Sequence, residues 1–182
     1  HEGMCINFRN EEGNRWSTRE EASVRRAIAE TLADPKVKLV AQNGNFDAYW
    51  LWYNDRIRVR RVWFDTLLAH HLLYPTLPHN LGFLTSQYTT HPYYKDEIDV
   101  WKEGGDISSF WIYNVKDCCI TWQVADRLGK ELVQQKLDKF FFNHVMHLQP
   151  YLTEATVLGM LVDVEMKERI RGELFTEVER LL

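Results

Sequence analysis

The chain has 182 residues, 45% hydrophobic and 26% charged, the make-up of one sizeable globular domain or of a domain plus a connector. Its net charge of −4 argues against a broadly basic nucleic-acid binder, although a metal-dependent nuclease carries its cations in the site. Three cysteines (Cys5, Cys118 and Cys119), with no C-x-x-C pair, suggest neither a disulfide framework nor a zinc site and fit a reducing compartment; no apolar run approaches a membrane span and no signal peptide is visible.

In chain order, Met4–Phe8 alternates apolar and polar residues and predicts a short strand, followed by a polar turn over Asn10–Asn14. Ser17 and Glu20 have capping-box spacing, so a helix is expected to about Ala33, stopped by Asp34-Pro35. Val37–Ala41 is an apolar, β-branched run expected to form a buried strand. The turn Asn43-Gly44-Asn45 then opens a helix beginning Phe46–Tyr53. Arg58–Phe64 looks like a strand, and Asp65 caps a helix ending before Pro75. Asn80–Tyr88 predicts a short helix, Thr89–Gly105 an irregular surface loop, and Ser108–Gln135 a long helix. Lys136–Leu158 is helical with a kink at Pro150, Gly159–Asp163 is a short extended step, and Glu165–Leu182 is an amphipathic helix. Strands alternating with helices argue for an α/β domain, although only about three strands are visible.

Two segments carry chemistry. Asn43-Gly44-Asn45-Phe46-Asp47 lies between a strand and a helix, the end of a sheet where ligands commonly bind, and there Asp47 points into the crevice. The plainer alternative is a turn in which Asn and Asp cap and Gly relieves strain. Tyr113 and Asp117 are four apart on a helix and share one face, where a carboxylate holds a cation and a phenol orients its water. Alone, Tyr-x-x-x-Asp is a weak pattern. His70 and His71 are adjacent on a helix and face apart, which favours core or surface roles over a shared metal. Arg56, Arg58, Arg60 and Arg61 form a solvated edge or, alternatively, a phosphate contact. Seven Trp, eight Tyr and nine Phe serve a large core or base stacking in a single-strand groove.

Taken together, Asn43–Asp47, the run Asp65-Thr66-Leu67-Leu68-Ala69-His70-His71-Leu72-Leu73, and Tyr113–Asp117 resemble, in order and interval, the motifs of the DEDD exonucleases with Tyr in the third motif. Tyr93-Tyr94-Lys95-Asp96 with Trp101 resembles a loop of phage and bacterial family A DNA polymerases, and Leu158–Asp163 resembles the Gly-x-x-Val-Asp step leading into their polymerase region. The resemblance implies a ribonuclease-H-like mixed sheet flanked by helices. It places a proofreading exonuclease domain at 1–135 and a helical connector toward the polymerase region of the same parent chain at 136–182. It implies two-metal hydrolysis at a single-stranded DNA 3′ end, with two Mg²⁺ ions, for which Mn²⁺ substitutes. Asp117 would help hold the nucleophile's metal, Tyr113 would orient the water, and Asp47 would serve the second metal through its water shell. Asn43 and Phe46 would contact the terminal nucleotide. The expected setting is the cytoplasm of a bacterium or phage-infected host, with no membrane partner.

The pattern departs from the family at its first motif, Asp-x-Glu on the first strand. Upstream of Asn43, residues 1–8 offer only Glu2, so the first two strands and two of the four carboxylates are expected to be missing and this fragment to be inactive alone. Asp163-Val164-Glu165 spells Asp-x-Glu but reads as the connector. The alternative function is a non-catalytic scaffold that positions DNA or braces a polymerase.

Overall fold

A computed structural model describes residues 3–10, 12–102 and 104–181, apart from the side chains at 100–102. Glu2, Leu182 and the side chain of Trp101 lie outside the described residues. The chain begins with a small antiparallel hairpin, β1 (Arg9–Asn10) and β2 (Gly13–Asn14), with Arg9 opposite Asn14. The strand expected at Met4–Phe8 is not formed: the ladder starts at Arg9, and Gly13 opens β2 at φ 118°, a conformation that favours glycine. Helix α1 (Thr18–Ala33) starts at the Ser17–Glu20 capping box, with Ser17 N–H donating to Glu20 at 3.0 Å, and ends at Asp34. No residue of α1 is buried.

A parallel strand pair organises the rest. β3 (Leu39–Ala41) leads through α2 (Gly44–Asp55) to β4 (Val62–Asp65), with Leu39 opposite Val62 and Ala41 opposite Asp65. This β-α-β unit is the α/β frame anticipated above. The Arg58–Phe64 strand is shorter than its alternation suggests. Arg56 takes a left-handed conformation to end α2, and the chain stays out of the ladder until Val62. The alternation reflects burial of Ile57 between exposed arginines, with Arg60 N–H donating to the Leu32 carbonyl of α1 at 3.2 Å.

Asp65 then caps α3 (Thr66–Leu73) and Asn80 caps α4 (Leu81–Tyr88). The expected loop at 89–105 contains one short helix, α5 (Glu97–Lys102). Helix α6 (Ile107–Gln134) runs unbroken and lays Ile120, Val124, Leu128 and Leu132, at helical spacing, against β3, α3 and α4. Helix α7 (Asp138–Phe140) passes through a π-helical turn (Phe141–Val145) into α8 (Met146–Leu158), which holds Pro150. The π turn drives Phe141 into the core, its ring 5.0 Å from Phe64. Helix α8 packs across α2 and β4, whereas α9 (Val164–Leu181) is exposed along its described length. Among the described residues, no helix is long and apolar enough to cross a membrane.

Candidate active site

The turn from β3 into α2 is held by a carboxylate from the neighbouring strand. Asp65, nearly inaccessible at 1% exposure, accepts N–H bonds from Asn43 (3.1 Å) and Gly44 (2.7 Å). It also accepts from Leu67 (2.9 Å) and Leu68 (3.3 Å) in the first turn of α3. Burial raises the Asp65 carboxyl above the ordinary Asp value, and the four N–H donors oppose that shift. Asn43 sits in the left-handed region (φ 60°), which Asn tolerates better than most residues. At Gly44 a Cβ would come within 2.8 Å of Ala41 Cβ and 2.9 Å of Val62, so only glycine fits between the two strands. The turn is a helix start with Asn43 as N-cap, but Asn43 makes no side-chain cap bond, and Gly44 serves close packing rather than relief of backbone strain.

The motif's side chains divide. Asn45 turns to α8, where its Oδ1 accepts from Gln149 Nε2 (3.1 Å) and from the Thr153 hydroxyl. Phe46 stands on the outer face of α2, 58% exposed. Asn43 and Asp47 line a cavity of about 820 Å³ whose opposite wall, from α6, brings Asn114, Asp117 and Cys118. The Asp47 carboxyl is pushed up, first by its packed surroundings and then by the charge of Asp65. Burial, followed by Asp117, likewise raises the Cys118 thiol.

On α6, Asp117 Oδ1 accepts from the Tyr94 hydroxyl and from Lys95 Nζ (2.6 Å). The same Lys95 ammonium donates to the Tyr113 hydroxyl at 2.9 Å and lies 4.7 Å from the centre of its ring. Tyr113 is buried behind Lys95 rather than lining the cavity, so it is joined to Asp117 through a shared cation. Among the described residues, both hydrogen bonds to the Asp117 carboxylate fall on Oδ1. Burial and the Asp117 contact push the Tyr94 phenol well above its ordinary range, so it acts here as a donor.

Asn43, Asp47 and Asp117 thus line one cavity, with Tyr113 one contact behind, whereas Phe46 is exposed on α2 outside the lining. Sequence reasoning missed the parts played by Asp65, Tyr94 and Lys95. The Tyr93–Asp96 loop had been singled out, but no spacing rule shows that a loop folds back on α6. In the Asp163-Val164-Glu165 sequence, Asp163 caps α9 by accepting from Met166 N–H at 2.9 Å. His70 is buried and His71 exposed, yet both reach His79, at 2.7 and 3.0 Å.

A family profile described as 3′–5′ exonuclease matches residues 2–133. The chain belongs to the 3′–5′ exonuclease domains of the family A DNA polymerases. It is 27% identical over 139 residues to DNA polymerase I of Borreliella burgdorferi, covering 74% of this chain and 15% of that protein. Among solved structures it resembles the POL domain of Pol1 from M. smegmatis in complex with DNA primer-template and dNTP, with TM-score 0.68 and 22% identity. That match covers 90% of this chain and 26% of the other and supports the ribonuclease-H-like α/β exonuclease fold. The chain therefore spans a small part of the polymerases it matches.

Exonucleases of this family are metal-dependent. Asp47 and Asp117 bring two hard oxygen donors to one cavity, which suits a divalent ion of the Mg²⁺ class. Among the described residues no group of three or more His, Cys, Asp or Glu is placed to hold an ion. The residues present fit part of such a site.

Proposed function

We propose that this exonuclease domain removes nucleotides from a single-stranded DNA 3′ end as the proofreading unit of a longer polymerase chain, with its site on Asp47, Tyr113 and Asp117. The observation that carries the reading is the meeting of Asp47 and Asp117 across one cavity, with Tyr113 tied to Asp117 through Lys95. Two divalent ions, Mg²⁺ or in its place Mn²⁺, would supply charge stabilisation for the attacking and leaving oxygens of a phosphodiester. Asp117 would offer Oδ2 to one ion, its other oxygen held by the Tyr94 hydroxyl, the kind of support that orients metal ligands. Asp47 would serve the second ion through its water shell. Tyr113, whose oxygen accepts from Lys95, would orient the hydrolytic water from one contact behind the cavity. Asn43 and Phe46 meet the terminal nucleotide.

On this reading residues 1–135 make up the exonuclease unit. Residues 136–182 connect it to the polymerase region, and α8 braces the exonuclease before the chain leaves along α9. The three thiols, none in a disulfide, suit the reducing cytoplasm of a bacterium or infected host. The test is single-turnover digestion of a labelled single strand by the longer polymerase chain. Asp47→Ala and Asp117→Ala are each expected nearly to abolish cleavage. Tyr113→Phe, which loses one neutral hydrogen bond, should cost about one to two decades in rate, or ~1–3 kcal/mol. Primer extension should survive all three. Full nuclease activity in both Asp variants would remove the proposed site.

A further inference from the structure

Three imidazoles form a chain where α3 meets the segment leading into α4. His79 Nδ1 lies 2.7 Å from His70 Nδ1, and its Nε2 lies 3.0 Å from His71 Nδ1. The two contacts use opposite nitrogens of the His79 ring, so no single metal ion can take all three side chains, and each contact needs a proton of its own. His70 is buried and His71 is exposed. From α6 the cluster is faced by Glu131, whose Oε2 accepts from the Tyr74 and Tyr88 hydroxyls, each at 3.3 Å. The Tyr74 and Tyr88 rings lie 5.3 and 5.9 Å from the His70 ring. Helix α4 adds the Phe83 ring at 5.9 Å and carries no charged residue, and the 75–80 segment holds no titratable side chain besides His79.

The backbone of His79 braces the cavity wall. Its carbonyl accepts from Gln42 Nε2 at 2.7 Å, and Gln42 Oε1 accepts in turn from the Thr66 hydroxyl. Gln42 precedes Asn43 and lines the cavity together with Asn80 and Leu81, the two residues that follow His79. The 75–80 segment has few other anchors among the described residues. Pro75 and Pro78 have no N–H to donate, Leu77 N–H reaches back to the Tyr74 carbonyl at 3.1 Å, and residues 75–78 are exposed. The position of this stretch of wall therefore depends on the imidazole chain.

Proton counting decides how the chain responds to acid. Three neutral rings carry three N–H groups on six nitrogens; two of these fill the two contacts and the third points outward. One added proton is held with both contacts kept, because an outer nitrogen takes it. A second proton sets two N–H groups against each other at one contact. Burial, then the neighbouring imidazoles, disfavours a charge on His70. Burial and His71 also act against a charged His79, and the Pro75 carbonyl opposes them. With His70 buried, the two charges fall on His71 and His79, whose facing N–H groups then repel. We propose that the His71–His79–His70 chain is an acid-operated latch on the cavity: on taking up two protons it parts at His71–His79, and the 75–80 segment withdraws its support from Gln42 and from the Asn80–Leu81 wall. The latch does not depend on what the cavity binds; on the exonuclease reading above, it ties 3′-end trimming to pH.

The test uses the full chain without metal or nucleic acid, so its outcome is separate from that of the cavity reading. Two-dimensional ¹H–¹⁵N spectra are recorded from pH 8 to pH 4.5, with the imidazole carbon signals followed in parallel. The three coupled rings should titrate in two steps. The Gln42 side-chain amide and the Leu81 backbone amide should move with the second, more acid step and stay still through the first. His79→Gln, whose amide donates and accepts but does not titrate, should lose that movement, its fold being checked by circular dichroism at pH 7.5. Should that variant not fold, His71→Gln decides: at this exposed position an amide can turn its oxygen toward a charged His79, so Gln42 and Leu81 should again stay still. Imidazole titration that leaves Gln42 and Leu81 unmoved in the native chain overturns the proposal. Movement with the first step does so too. Movement that persists in the variant also overturns it and assigns the response to Asp47 or Asp65, whose carboxyls burial raises.

Discussion

Asp65 shows how one buried carboxylate positions a site without entering it. Its four N–H acceptances fix the Asn43–Gly44 turn and start α3, so the place of Asp47 depends on a side chain one strand away. Asp65→Asn keeps the shape but turns an amide donor toward backbone donors. It should cost about 1–3 kcal/mol, read as a lower urea midpoint with unchanged slope; an unchanged midpoint would show that the clamp is dispensable. Lys95 is the residue the sequence hid best. Within a polar-aromatic loop it looked like any solvated lysine, and its meaning lies in the fold-back that sets it against Asp117 and Tyr113. Because its ammonium offsets the Asp117 charge, Lys95→Met should tighten Mn²⁺ binding by about fivefold, or ~1 kcal/mol for a partly exposed pair. Weaker binding would show that Lys95 chiefly holds the carboxylate in place.

The elements that could be read in advance are those with local signals: the Ser17–Glu20 box of α1, the Asp65 and Asn80 caps, and the period of α6. What could not be read was set by partners distant in sequence. The length of β4 is set by its pairing with β3, and the alternation of Arg56–Arg61 by burial of Ile57. The meeting of α3 with the 75–80 segment belongs to the same class. It sets His79 between His70 and His71, with Glu131 nearby on Tyr74 and Tyr88. Burial, then the neighbouring imidazoles, holds His70 below its ordinary value of 6.5, and burial followed by His71 does the same to His79. The unfolded chain therefore takes up protons first as pH falls below about 6.5, so stability is full above that pH and is lost as pH drops below it. Thermal melts at pH 7.5 and pH 5 should show a smaller drop for His70→Gln than for the native chain. An equal drop would assign the acid sensitivity to other groups.

At the scale of the whole molecule, a β-α-β unit, one long helix and the loop before α5 bring Asn43, Asp47, Lys95 and Asp117 to a single cavity, while α9 lies exposed. The order of the motifs was legible from the chain; their convergence required the parallel register of β3 and β4 and the packing of α6 against β3. Two carboxylates of low combined charge should bind divalent ions weakly, with a dissociation constant on the order of a millimolar, because affinity follows the number and charge of ligands. For the same reason the chain by itself should digest single-stranded DNA poorly. Mn²⁺ titration followed by paramagnetic resonance tests most directly whether Asp47 and Asp117 hold divalent ions at this cavity. Saturable weak binding is expected in the native chain, reduced in Asp47→Ala and in Asp117→Ala and unchanged in Asp163→Ala. Binding that survives both of the first two substitutions, or that disappears with Asp163, would contradict the site described for this exonuclease domain.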